Sequence, residues 1–508
     1  MAGGAEMKKS LIIFLVAAVF LASAFSAREK IETIEDLNGS NIGVQTAVLY
    51  EDLIKDRVPD STFQYYTMPN DMIYALTSGK VDAYLIEEVS FGVQKANHPE
   101  LECLEEPAGY INATCIIGNN SRQDRILKEI NQFIKDSTES GLMDELYDYW
   151  IADFDPETDT CDITGFTGEN GTLSVAVEGG YEPFSFVSNG HLAGYDVDFV
   201  CRFCRAYGYT PEFFEVPFEA IAPGVETGKY DLGMNIVVSE ERNETGTLSD
   251  VYYTTPIRLV ILGEDTSEIG FFQSLQNSFY KTFVRENRWK LFVQGAGVTV
   301  LITLASIVFG TILGFAVFMI CRHENKIANG VTNFFMWLIH GMPTVLLLMI
   351  LYYIVFGSSR LSGLWVSVVG FTLMFAIAMI EMLRVGYKAV GKGQFEASTA
   401  LGYSDSQSFF RILLPQAAQH FLPLYRNEVV TLIKETSVVG YIAVLDLTKI
   451  SDLVRSRTYE AFFPLILTAI IYFVIAALMT KVVKVVEKRI NPKRRSQDKI
   501  LKGIKQWD

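Results

Sequence analysis

Hydrophobic and polar positions divide this chain into two halves of different character. In the second half, Val298 to Ile320, Asn333 to Phe356, Leu364 to Leu383 and Phe462 to Thr480 are mainly apolar. Each runs to about 20 residues, long enough to cross the hydrocarbon core of a bilayer. A fifth stretch, "FLPLYRNEVVTLIKETSVVGYIAV", carries Arg426, Glu428, Lys434 and Glu435. Charges at membrane depth are expensive, so this span should face protein or a water-filled path. The first half alternates. From Ile31 to Asp153, "NIGVQTAV" and "VDAYLIEE" read as short buried strands between helical segments. A later helix there places Ile126, Ile130 and Phe133 on one face. The turn-rich "DFDPETDTCDITGFTGENGT" reads as a linker. A second α/β segment runs from Leu173 to Leu262 through "LSVAV", "YEPFSF" and "GKYDLGMNIVVSEER". Each segment, at about a hundred residues, forms a lobe with a modest core, and two lobes imply a clamshell with a cleft between them.

Charge and targeting signals orient this layout. The 508 residues are 49% hydrophobic with a formal net charge of -16. So acidic a surface argues against nucleic acid as a partner. Lys8 and Lys9 precede an apolar run from Leu11 to Phe20, and "ASAFSA" follows, the pattern of an export signal over residues 1–27. An uncleaved anchor is the alternative; either places the lobes outside the cytoplasm. With no cysteine at the cleavage point, a lipid anchor is not indicated. The basic stretches "CRHENK", "RVGYKAVGKGQ" and "KVVKVVEKRINPKRR" belong in the cytoplasm, in accord with five spans. "YKTFVRENRWK" is also basic yet would lie outside, and reads as part of an interfacial segment over 266–290. Of six cysteines, Cys103 and Cys115 could pair in an oxidising compartment. Cys201 and Cys204 lie on a helix with no partners for a metal site and read as buried thiols.

The polar insert "EASTALGYSDSQSFFRILLPQA" falls in a cytoplasmic loop between the third and fourth spans. Glu396, Ala397, Ser398, Gly402, Ile412, Leu414 and Pro415 resemble the EAA loop of ABC importer permeases, E-A-A-x3-G-x9-I-x-L-P. Ser398 replaces the second alanine, a change expected to matter little for packing. Such a loop needs a short helix that docks into a groove of a soluble ATPase, a turn at the glycine, and a proline where the chain returns to the membrane. "EMLRVGYKAVGKGQFEASTALG", with Glu381, Arg384, Gly386, Gly393 and Gln394, is similar to the polar amino-acid branch, as is "LIKETSVVGYI". "HGMPTVLLLMILYY" departs from that branch's usual R-G-T-P start at His340 and Met342. No G-x-x-x-x-G-K-[ST] loop occurs, so no cofactor is expected on this chain, and ATP and Mg are expected on separate ABC ATPase subunits. Five spans are half a channel, which implies a second permease subunit, expected as a two-fold homodimer.

The lobes resemble the amino-acid-binding proteins that serve such permeases, in reversed order. The resemblance implies a permuted clamshell followed by an all-α membrane domain of five transmembrane helices; two orphan lobes would instead expose their cleft faces. The divisions expected are lobe 28–153, linker 154–171, lobe 172–265, interfacial segment 266–290, permease 291–484 with its coupling loop at 393–415, and a basic tail 485–508. The resemblance carries substrate roles to matching positions. Glu178 would stand near the ligand and Tyr181 would cover its side chain, with Phe218 as the facing wall. Arg242 would clamp the α-carboxylate and Glu87 the α-ammonium group. Asn235 and Val237 replace small hydroxyl-bearing residues, and Val48 and Leu49 replace paired threonines. These replacements leave open a second reading, in which the lobes only dock or regulate a free binding protein. A ligand-gated channel or receptor would need a pore segment between the lobes or a signalling domain after the spans, and neither is present. The resemblance thus implies the permease subunit of an amino-acid importer in the cell membrane.

Overall fold

The computed structural model describes residues 31–152, 161–188, 191–238, 246–263, 276, 278–284, 287–322, 326–357, 359, 361–460 and 462–490. The expected export signal, Arg242, and most of the basic tail lie outside these residues.

The first half folds around one sheet in the order β2-β1-β3-β12-β5-β10-β6-β9. β1 (Asn41–Gln45), β2 (Thr62–Tyr66) and β3 (Ala83–Glu87) run parallel, covered by α1 (Pro69–Thr77) and α2 (Glu88–Asn97). β4 (Leu101–Cys103) pairs with the far end of the last strand. β5 (Gly109–Ile117) leads to α3 (Gln123–Ser140) and α4 (Leu142–Tyr147). β6 (Thr172–Glu178) precedes a small hairpin, β7 (Phe186–Ser188) and β8 (His191–Ala193), and then α5 (Tyr195–Tyr207). β9 (Thr210–Val216), α6 (Phe218–Glu226), β10 (Leu232–Val237), β11 (Thr247–Leu248) and β12 (Tyr253–Leu262) complete it.

Two of these strands make it a clamshell. β5 and β12 pair antiparallel from Gly109↔Ile257 to Ala113↔Tyr253, and each then continues into the opposite lobe. β12 goes on to flank β3, while β5 goes on to flank β10. Each lobe therefore has the same plan: a parallel trio closed by an antiparallel strand that arrives from the other lobe. This exchange shifts the boundary expected at residue 153. α3 buries Ile126, Ile130 and Phe133 as its periodicity predicts, but against the second lobe. Phe133 meets Phe199 and Phe203 of α5 at ring distances of 5.4 and 5.6 Å. β5 has already carried the chain across, so the helix after it finds its apolar partner there. The same crossing separates Cys103 from Cys115: both are free thiols, the first beside β12 and the second in the core of the second lobe. The disulfide that these two could have formed is absent. Cys201 and Cys204 are buried as read.

In the second half, α7 (Trp289–Cys321), α10 (Gly363–Ala389) and α15 (Phe462–Ile490) are long and apolar enough to span a membrane. The stretch read as one span from Asn333 to Phe356 is bent by 111° between α8 (Lys326–His340) and the run Thr344–Val355, which starts with α9 (Thr344–Met349). The break falls at Gly341, Met342 and Pro343, where proline disfavours helix in the residue before it. Counting that pair once gives four candidate spans among the described residues. The charged stretch contributes α13 (Leu414–Glu435), whose Arg426 meets the buried Glu487 of α15 at 3.1 Å. That charge faces protein, as its cost in lipid requires. α7 and α10 run parallel and approach closely. A Cβ on Gly310 would come within 2.8 Å of Phe375 Cβ, and one on Gly314 within 2.5 Å of the Ala376 carbonyl. Small residues four apart let two membrane helices touch along their backbones.

Candidate functional site

Two regions gather polar side chains in ways that core packing alone does not require. The first is the interlobe cleft. Glu87 ends β3, in a strand whose five residues are all buried, and is itself 2% exposed. Its carboxylate accepts hydrogen bonds from the hydroxyls of Tyr50, in its own lobe, and Tyr181, across the cleft. Burial raises the Glu87 pKa, and the two hydroxyls oppose that rise. Glu178, at the end of β6, accepts from Gln45 Nε2 of the first lobe at 2.9 and 3.2 Å. Burial pushes Glu178 up to about 8, with the Gln45 amide and the Lys449 ammonium pulling the other way. Tyr181 stacks on Phe184 with ring centroids 5.5 Å apart.

The expected substrate set is thus brought together only in part. Glu87, Glu178 and Tyr181 meet at the seam between the lobes. Phe218 opens α6 and is buried in the large apolar cluster. Asn235 sits at an irregularity in β10 with φ of 57°, and its N–H donates to the Tyr252 hydroxyl at 3.2 Å. Val48 is buried and Leu49 adopts a left-handed φ of 63°. Arg242 lies outside the described residues. Gln45 and Tyr50 were not legible as site residues. Their sequence neighbours read as strand and loop, and only the closure of one lobe on the other gives them partners.

The seam opens onto the membrane half. α14 (Leu447–Thr458) is capped by Asp446, whose carboxylate accepts from the N–H groups of Thr448 and Lys449 at 3.1 and 3.0 Å. Its far end reaches both lobes. Asn70 of α1 donates to the Ser456 carbonyl at 2.8 Å, and Asp71 pairs with Arg455. From the second lobe, Gly180 lies so close that a Cβ there would fall 2.2 Å from Ser456 Oγ. A further anchor is Lys229, which donates to the carbonyls of Ser359 and Leu361 at 3.2 and 3.3 Å and lies over the Tyr352 ring. A cavity of about 80 Å³ remains between Glu178, Gly179 and Pro217 on the lobes and Thr448, Lys449 and Asp452 on α14.

The second region is the loop between α10 and α13. It holds α11 (Lys392–Ala400) and the short α12 (Asp405–Ser408). Glu396 and Ala397 are exposed, as are the apolar Phe395 and, at 76%, Leu401. Gly402 follows the helix with φ of +83°, a conformation that glycine adopts without strain. Ser404 caps α12 through a reciprocal pair with Gln407. Ile412 is half-buried, and Pro415 stands at the second position of α13, directly after a widened helical turn, Phe409–Leu413, that joins α12 to α13 and already interrupts the regular i to i−4 bonding. Leu414 packs beside the cluster formed by Phe318, Phe409 and Leu413. Ser398 departs from expectation: it is 1% exposed, and its hydroxyl donates to the Phe395 carbonyl at 2.6 Å and shares a second hydrogen bond with the Ser408 hydroxyl at 2.8 Å. The serine joins the two short helices in a way that alanine could not.

The cleft and the loop lie at opposite ends of the membrane half. α13 leaves the loop at Leu414 and ends at Glu435, a rise of about 33 Å, before the chain reaches α14 beneath the lobes.

Comparison with known proteins places the second half. Residues 306–492 match the family described as binding-protein-dependent transport system inner membrane component. A putative glutamine transport system permease protein of Rickettsia conorii is 30% identical over 203 residues, 39% of this chain and 92% of that protein. The arginine transport system permease protein ArtQ of Bacillus subtilis is 33% identical over 204 residues, 39% of this chain and 91% of that protein. Among solved structures, an amino acid ABC transporter with histidines is 25% identical, with a TM-score of 0.38 over 44% of this chain and 99% of that chain. An ancestral amino acid-binding protein is 13% identical, with a TM-score of 0.25 over 47% of this chain and 89% of that chain.

Proposed function

We propose a transport role on one premise: the chain belongs to the family of binding-protein-dependent transport system inner membrane components. It is a multi-pass membrane subunit, not an enzyme, and its reading here is the permease of an ATP-driven amino-acid importer that carries its own binding lobes. The observation that carries this reading is the pair of contact surfaces at opposite ends of the membrane half. On one end both lobes are held against α14 and the Tyr352 region. On the other, α11 projects with Phe395 and Leu401 uncovered, the form of a helix that enters a groove on another protein.

In this mechanism the lobes lie outside the cell and bind an amino acid across the seam. Arg242 takes the carboxylate and Glu87 the ammonium group, which requires the Tyr50 and Tyr181 hydroxyls to give up Glu87. Ligand passes through the cavity beside Lys449. A separate ABC ATPase, using ATP and Mg, grips α11. Its closure moves Glu396 to Pro415 as a unit, because Ser398 and Ser408 tie α11 to α12, and a second permease copy completes the path. Names of relatives mention glutamine and arginine, which supports an amino-acid substrate for this chain as well.

The test is reconstitution of the full chain with the ATPase that co-purifies with it, followed by uptake of each radiolabelled L-amino acid. ATP-dependent accumulation of at least one is expected. Uptake that needs an added soluble binding protein would instead assign the lobes a docking role.

A further inference from the structure

On the side of the loop that holds α11, the ends of α7, α8 and α10 line an open pocket of about 340 Å³. Phe318, Arg322, Asn333, Arg384, Tyr387 and Lys388 are among its walls. Among the described residues no carboxylate forms an ion pair with Arg322, Arg384 or Lys388. Glu381, one turn from Arg384, faces His340 at 3.6 Å instead. Among the described residues Arg384 donates only to neutral acceptors, the side-chain carbonyls of Asn333 at 2.9 Å and Asn329 at 3.4 Å and the Met336 sulfur at 3.7 Å. Arg322 lies over the Phe409 ring at 4.4 Å, and its Nη1 is buried without a hydrogen-bond partner. A charged donor left in that state is costly, and an anion in the pocket would satisfy it.

The position and the surroundings select the anion. α7 has 33 residues, so its length of about 50 Å exceeds the hydrocarbon core, long enough for its last turn to reach headgroup level. The outer face of α8 beside the pocket exposes Ile327, Val331 and Phe334, an apolar strip of the kind that acyl chains cover. Two guanidinium forks and an ammonium group above an apolar strip match a phosphate with chains attached.

We propose that this pocket binds the phosphate of an anionic membrane phospholipid, with Arg322, Arg384 and Lys388 as its ligands. Free inorganic phosphate offers the same charge but has nothing to cover the strip on α8. The test uses the full-length protein, purified in detergent and stripped of lipid. Native mass spectrometry and thermal unfolding follow titration with dioleoyl phosphatidylglycerol, dioleoyl phosphatidylcholine or inorganic phosphate. Phosphatidylglycerol should bind and stabilise more than phosphatidylcholine, and inorganic phosphate should have no effect. Lys388→Gln changes an exposed side chain, so folding is unaffected, and it should weaken phosphatidylglycerol binding about fivefold. Arg384→Gln should weaken it further. Equal binding of the two lipids, binding unchanged in Lys388→Gln, or a full effect from inorganic phosphate would each overturn the proposal.

Discussion

The two ends of the membrane half make contact in opposite ways. Under the lobes, polar groups already have their partners: Asn70 on the Ser456 carbonyl, Asp71 on Arg455, Lys229 on two carbonyls and an aromatic face. At the coupling loop, Glu396, Ala397, Phe395 and Leu401 point outward. A partner in the same chain is present at an effective concentration that no free protein matches, so its contacts can be many and permanent. A partner that must grip and release leaves its surface open.

The largest effect should come from the open end. Gly402→Val forces a β-branched residue to adopt a φ of +83°, which should unseat α11 and reduce uptake to background while ligand binding to the lobes persists. Loss of both activities together would merge the two ends into one folding unit.

Next is the cleft. If Arg242 clamps the ligand carboxylate as proposed, Arg242→Ala removes one partner of a charge pair, a loss of about 2 to 5 kcal/mol, or thirtyfold to several-thousandfold in affinity by calorimetry. An unchanged affinity would move the carboxylate site elsewhere.

A smaller effect should follow from loosening the lobes. Asp71→Asn leaves Arg455 with only Asp452 as a charge partner among the described residues and should lower uptake roughly tenfold with ligand affinity intact. Uptake equal to wild type would make that contact dispensable.

pH should act at the seam. Glu178 has a folded pKa raised from 4.5 to about 8 by burial, so the folded protein holds a proton that the unfolded chain releases. Stability from this group is full below pH 4.5 and is lost as pH rises through 8. Asp196, pushed up to about 7 by burial, acts in the same direction. The melting temperature should therefore fall between pH 5 and 8, and the fall should be shallower in Glu178→Gln. An identical slope in the variant would mean that Glu178 titrates normally.

The smallest expected change is Ser398→Ala, which removes the bond between α11 and α12. It should cost about 1 kcal/mol, roughly 2 °C in melting temperature. No loss of stability would restore the view that alanine serves equally there.

Local pattern determined a good deal of this protein from sequence alone. The apolar runs mark α7, α10 and α15, and the spacing from Glu396 to Pro415 marks a short helix and a glycine turn, although the helix resumes at Asp405, ten residues before the proline expected to restart it. Both are local because each depends on residues within a turn or a span of one another. Charges along Arg426 to Glu435 also foretold a helix that turns charge toward protein or a water-filled path; Arg426 meets Glu487, while Lys434 is exposed.

What the tertiary structure decided depends on where distant segments meet. That α3 serves the second lobe, that Cys103 and Cys115 stay apart, and that Gln45 and Tyr50 complete the seam all follow from β5 and β12 crossing between lobes. No stretch of sequence contains that crossing. It is fixed by which sheet edge each strand finds, a choice between surfaces more than a hundred residues apart. Ser398 shows the same limit at short range: its hydroxyl matters only because Ser408, ten residues on, folds back to bond with it.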